Sequence, residues 1–85
     1  MRIAKVIGAV VSTRKHEGLQ GVKLLLVESA GEVFIAGDIL GAGEGEYVMV
    51  TTGNAATRAL DKEVPVDAMV VGILDNPPKL PGGKK

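Results

Sequence analysis

Several strand-like segments of this chain carry aliphatic side chains on both of their faces, and that pattern limits the folds open to it. In the stretch from Gly21 to Glu28, Val22, Leu24 and Leu26 fall on one face while Leu25 and Val27 fall on the other. From Val66 to Leu74 the two faces are again both apolar: Ala68, Val70, Gly72 and Leu74 oppose Val66, Met69, Val71 and Ile73, allowing for a bulge. A strand with one face in water alternates apolar and polar residues, so these strands need cover on each side. The 85 residues allow one small domain, near the size at which a lone core is barely sufficient. Without cysteine, neither disulfides nor thiolate metal sites can reinforce it.

Taken in order, the chain offers a strand from Arg2 to Thr13, with a bend or bulge expected at Gly8 because its alternation is poor: Ile3, Ile7 and Val11 against Val6 and Val10. Lys15-His16-Glu17-Gly18 reads as a polar turn. The second strand (21–28) leads through a hairpin-like break, Ser29-Ala30-Gly31-Glu32, into a short third strand from Val33 to Ala36. A glycine-rich loop follows, then a fourth strand from Tyr47 to Thr52. The segment Gly53-Asn54-Ala55-Ala56-Thr57-Arg58-Ala59-Leu60 is the one helical candidate, with Asn54 as its expected N-cap. Asp61-Lys62-Glu63 is a charged connector, Pro65 opens the fifth strand (66–74), and the Pro-, Gly- and Lys-rich tail from Asn76 to Lys85 is expected to be flexible or extended.

Five strands with one short helix between the fourth and fifth predict a mainly β fold, a small barrel whose closure leaves no strand edges exposed. The inward face fills such a barrel. The outward apolar face requires a second partner, so the expectation is an obligate oligomer.

The loop Gly41-Ala42-Gly43-Glu44-Gly45 places glycine at every second position. Glycine tolerates positive φ and lets another backbone come close, so the loop is tight and its shape matters more than its chemistry. A phosphate-binding reading is the alternative, but such a loop opens a helix and carries a Lys-Ser/Thr partner, whereas this one leads into a strand. The single histidine, His16, has no second histidine or cysteine to join it at a metal and no nucleophile to serve, so it reads as a solvated turn residue. The carboxylates Asp38, Glu44, Glu46, Asp67 and Asp75 show no spacing that selects a catalytic pair; Asp38 and Asp75 read as turn-capping. Glu44 has a sharper possibility: on a symmetry axis its copies would ring a channel mouth.

Composition excludes further classes. Ten basic residues balance ten acidic ones with no block of either sign, so the basic footprint of a nucleic-acid binder is missing. Phe34 and Tyr47 are the whole aromatic complement, although 46% of the residues are hydrophobic. No apolar run approaches the roughly 20 residues that span a bilayer, and the start of the chain reads as a strand, which points to the cytosol.

In order and spacing, a set of segments resembles the EutN/CcmL family of bacterial microcompartment vertex proteins over residues 1–75. They are Ile3-Ala4-Lys5-Val6-Ile7-Gly8, Val10-Val11-Ser12-Thr13, the stretch from Leu19 to Val27, the stretch from Ala36 to Glu46, Gly53-Asn54-Ala55-Ala56 and the stretch from Pro65 to Asp75. The wording is most similar to carboxysome members. The resemblance implies a five-stranded OB-like barrel assembling head-to-tail into a homopentamer that caps the vertices of a polyhedral shell in the bacterial cytoplasm. It implies no catalytic residue, no cofactor, no metal, no nucleic acid and no membrane. The facets of such a shell are hexameric shell proteins, and a flat hexagonal sheet closes only where pentagons interrupt it. By the resemblance, Gly53, Asn54, Ala55 and Ala56, with Gly72, Ile73 and Asp75, meet neighbouring hexamers. Gly41, Ala42, Gly43, Glu44 and Gly45 lie near the five-fold pore. Thr57 stands where the family's arginine is expected and Arg58 follows it, which makes Arg58 a candidate for interface hydrogen bonding. The break between the second and third strands is short, and residues 76–85 do not have the family's strand-forming end, so they form a separate tail.

Two rival classes stay open on sequence alone. One is an OB-type oligomeric binding module for single-stranded nucleic acid or a small ligand, opposed by neutral charge and few stacking aromatics. The other is a small oligomeric enzyme, opposed by the lack of a nucleophile, base or metal set.

Overall fold

The computed structural model describes residues 1–11, 17–58 and 65–77. Five strands, β1 (Arg2–Val10), β2 (Lys23–Ser29), β3 (Glu32–Asp38), β4 (Tyr47–Thr52) and β5 (Ala68–Leu74), close into a barrel in the order β1-β2-β3-β5-β4, with β1 pairing back onto β4. This is the OB-like order, and the one α-helix among the described residues, α1 (Asn54–Thr57), lies between β4 and β5 as expected. All pairings are antiparallel except β3 with β5, where Gly37 stands opposite Met69 in a parallel seam.

The interior is filled by small aliphatic side chains: Ala4, Val6, Leu25, Val27, Ala36, Ala42, Val48, Val50, Ala68 and Val70, with Phe34 and Ile73 packed against them. A five-stranded barrel has a narrow lumen, which suits valine and alanine and accounts for the scarcity of aromatics. Two bulges set which side chains enter it. On β1, Val6 pairs with Val27 but Gly8 with Leu26, so Ile7 is the extra residue and the poor alternation of this strand is explained. On β5, Val70 pairs with Val50 and Gly72 with Met49, which leaves Val71 unpaired and half-exposed.

Part of the outward apolar surface is covered within the chain. Val22, Ala56 and Met69 form a second cluster outside the barrel, with Val66 packed on it, and α1 is held there by its buried Ala56. Ala30 and Gly31, both at positive φ, turn β2 into β3, and Arg2 crosses that hairpin: its guanidinium meets Glu32 Oε1 at 2.8 Å, donates to the Ser29 carbonyl and lies 4.8 Å from the Phe34 ring centre.

Several boundaries differ from the sequence reading: β2 begins at Lys23 rather than Gly21 and ends at Ser29, β3 begins at Glu32, and β5 begins at Ala68 rather than Val66. β1 ends at Val10, and residues 12–16, including His16, lie outside the described residues. A 3-10 turn over Glu17–Leu19 replaces part of the polar turn. β3 runs two residues past Ala36 because Gly37, whose missing side chain suggests a break, is needed there: a Cβ would press against Val22 and Met69. The N-cap of α1 is Gly53 at φ 70°, with Asn54 inside the helix and no side-chain cap, because the Gly53 N–H is committed to the Asp67 carbonyl. The helix ends at Thr57, and residues 59–64 and the tail from residue 78 lie outside the described residues.

Candidate functional site

The glycine loop is organised by one carboxylate. Asp38 closes β3 and is only 1% exposed. Its Oδ1 accepts the Leu40 N–H at 2.9 Å, and its Oδ2 accepts the N–H groups of Gly41 at 3.1 Å and Ala42 at 2.8 Å. An aspartate bonded to the backbone just ahead of it is a turn device, and here three successive amides converge on one side chain. The result drops Ala42 into the barrel, where it is fully buried, and leaves Ile39 and Leu40 outside, 50% and 49% exposed.

The far end of the loop is tied down in the same way. Glu46 Oε1 accepts the Gly43 N–H at 2.6 Å, and the Glu46 N–H returns to the Gly43 carbonyl. Gly45 donates to the Val6 carbonyl at 2.8 Å, and Val6 donates to the Glu46 carbonyl at 2.9 Å, which stitches the loop to β1 just before its bulge. With Asp38 buried and Glu46 committed, Glu44 is the loop's exposed acid among those bearing no hydrogen bond of this kind.

The three glycines are not equivalent. Gly41 and Gly45 adopt φ of 88° and 91°, where a side chain is strained. Gly43 does not have positive φ, and the nearest atom to a Cβ placed there is the Glu46 carboxylate at 3.7 Å, an ordinary contact. Nothing among the described residues therefore demands glycine at position 43.

The remaining candidates fall into two groups at opposite ends of β5. Gly53, Asn54, Ala55 and Arg58 are exposed around α1, next to the start of β5, where Thr52 pairs with Ala68; Ala56 is fully buried in the second cluster. Gly72 is half-buried against Met49, Ile73 packs on the barrel core, and Asp75 is exposed beyond Leu74. Asp75 lines a shallow hollow with Gly45, Glu46 and Tyr47, so the fold places it beside the exit of the glycine loop and away from α1.

The rival chemistries gain no support from this geometry. Among the described residues no three histidine, cysteine, aspartate or glutamate side chains gather around one point. Phe34 packs on the core beneath Arg2, and the Lys5 ammonium lies 5.8 Å from the Tyr47 ring centre, so neither ring is a free platform for stacking bases. The turn-capping role read for Asp38 is what the structure shows, extended to three amides, and the feature missed on sequence alone is Ile39–Leu40 as an exposed pair. The visible signal was an aspartate followed within a few residues by glycine at the end of an apolar run.

The comparisons with known proteins agree with this architecture. A family model described as ethanolamine utilisation protein EutN/carboxysome matches residues 1–75. The chain is 48% identical over 83 residues to the carboxysome shell vertex protein CcmL of Synechocystis sp., covering 88% of this chain and 83% of that one. Among solved structures, the ethanolamine utilization protein EutN superposes with a TM-score of 0.85 at 40% identity, covering 98% of this chain and 93% of that one. The pentameric microcompartment shell protein GrpN from Rhodospirillum rubrum gives 0.78 at 40% identity, covering 94% and 100%. A matching barrel, a match across nearly all of the described core and this level of identity place the chain in the EutN/CcmL family.

Proposed function

We infer that this chain is a structural vertex protein of a bacterial microcompartment shell, carboxysome-like or of another type, and that it works as a homopentamer in the bacterial cytoplasm. Its task is to supply the pentagonal points at which a sheet of hexameric shell proteins closes. It needs no cofactor and carries out no catalysis. The observation that carries this reading is a barrel with every strand paired to two others that still leaves Ile3, Val33, Ile35, Ile39, Leu40 and Val71 substantially exposed. Closure has removed the backbone edges, so what remains unsatisfied is side-chain surface suited to copies of the same chain.

The glycine loop belongs near the five-fold axis in this reading. Gly43 supports that placement, because a glycine without positive φ or a crowded Cβ inside its own chain is accounted for by close approach of a neighbouring backbone. Five copies of Glu44 would then surround the opening. The surface around Gly53, Asn54, Ala55 and Arg58, and that around Gly72, Ile73 and Asp75, would meet the hexamers, with the buried Ala56 holding α1 in position. Native mass spectrometry of the purified chain is the direct test. A five-chain mass, together with capping of hexameric shell protein on co-expression, is the expected result. A single-chain mass at high concentration overturns the reading.

A further inference from the structure

The exposed aliphatic residues are not alike. Ile3 stands beside Met49, Ile35 beside Leu26 and Val33 beside Glu28, each on a pleated strand with a cross-strand neighbour to shield it. They add to the outward apolar surface as single side chains spread over the sheet. Ile39 and Leu40 are consecutive, each about half exposed, and lie outside any strand. Their backbone is held from below by the buried Asp38 carboxylate through the amides of Leu40, Gly41 and Ala42. A buried carboxylate satisfied by three backbone amides thus fixes a turn that presents two large apolar side chains to solvent. It is the arrangement expected of an anchor whose ordering is complete before a partner arrives.

Two more observations define what the anchor meets. Val71, the unpaired bulge residue of β5, is a further exposed aliphatic side chain on the strand that shares the seam with β3. The patch also runs directly into the side-chain-poor loop from Gly41 to Gly45, where a Cβ at Gly41 or Gly45 would meet open space. An apolar knob next to an open glycine surface suits close approach by a protein of similar shape, and solved relatives are pentameric.

We propose that Ile39 and Leu40, held by Asp38, are the principal apolar anchor through which one copy of this chain packs against the next copy in the ring. This rests on the reading of the chain as a ring former and names the residues that make the ring hold. The contact is head-to-tail, so the anchor meets a different surface on its neighbour and the same contact repeats around the ring.

Leu40→Glu and Ile39→Glu place a charge at a position that is already half exposed, so the barrel itself should tolerate either. Native mass spectrometry and light scattering across a dilution series, with far-ultraviolet circular dichroism as the check on folding, compare each variant with wild type. The expected result is a folded barrel whose association is weakened ~10-fold or more at each contact, so that rings give way to single chains on dilution. Should Leu40→Glu lose the barrel spectrum, Leu40→Ala carries the same comparison with a smaller change. Wild-type rings accompanied by variant rings of undiminished stability overturn the anchor and leave the pentamer standing. Intact variant rings that no longer cap hexameric shell protein overturn it as well, by assigning the pair to a different neighbour. A wild-type chain that stays single overturns both proposals.

Discussion

Replacing Asp38 isolates the contribution of one side chain to the geometry of the glycine loop. Asp38→Ala removes the acceptor for three amides at once. They do not lose equally. Leu40 and Gly41 are exposed, so water can take over their N–H groups, whereas Ala42 is fully buried and its N–H is left without a partner. An orphaned buried amide costs about 1–3 kcal/mol and a replaced, partly solvated hydrogen bond about 0.5–1 kcal/mol, so Asp38→Ala should lose roughly 3 kcal/mol. Asp38→Asn keeps one carbonyl oxygen, which can serve Gly41 and Ala42 together as Oδ2 does, while its amide group faces the Leu40 N–H donor to donor. That should cost about 1 kcal/mol. In urea, at an m-value of about 1 kcal/mol per molar, these losses correspond to midpoint shifts of about 3 M and about 1 M. Wild type and both variants must be compared at one chain concentration, because ring dissociation adds to unfolding. Amide hydrogen exchange supplies a local readout: protection at Ala42 should vanish in Asp38→Ala and persist in Asp38→Asn. If the two variants melt together, or if Ala42 stays protected in Asp38→Ala, the carboxylate is not what shapes the loop.

Four further outcomes are expected. Gly45→Ala puts a side chain at φ 91° and should lose about 1–2 kcal/mol in the same urea titration, whereas Gly43→Ala should leave the unfolding of the single chain nearly unchanged yet weaken the ring on dilution; unaltered assembly of Gly43→Ala removes that glycine from the axis. Gly37→Ala should cost about 1–3 kcal/mol by overpacking against Val22 and Met69, and a thermal midpoint equal to wild type would show that those side chains give way freely. Arg58→Ala should leave the native pentamer mass unchanged and reduce capping when co-expressed with hexameric shell protein; undiminished capping would make Arg58 an ordinary surface charge.

The strand plan was legible because β2, β3, β4 and β5 are aliphatic runs separated by glycine, proline or polar residues, and the closed barrel followed from their number and their two apolar faces. The bulges were partly legible: Gly8 marked the irregularity of β1, and the two-faced pattern of β5 required one extra residue, which the register identifies as Val71. What escaped is what depends on contacts across the chain. Gly37 resembles a strand end until Val22 and Met69 are placed against it. Asn54 is the better N-cap by residue type, but the N–H of Gly53 is drawn to Asp67, which shares the fourth-to-fifth strand corner, and the cap moves back by one residue. The expectation that the outward apolar face belongs wholly to a partner was too broad, because α1 covers Met69 and Val22 from within. In the loop, the glycine spacing signalled a special backbone but could not separate Gly41 and Gly45, which need left-handed φ, from Gly43, which does not.

The parallel seam between β3 and β5 is the thinnest join in the barrel, with Gly37 and Met69 its one pair of facing residues. The four side chains that α1 and its surroundings bring together, Val22, Ala56, Met69 and Val66, lie across that join as a clasp. A wall of five staves is as strong as its loosest neighbours, and at this join it is Val22 and Met69, pressed over Gly37, that fill the gap. A cylinder of this kind has its natural line of parting along that seam, where one residue pair and two side chains do the work that a whole ladder does elsewhere.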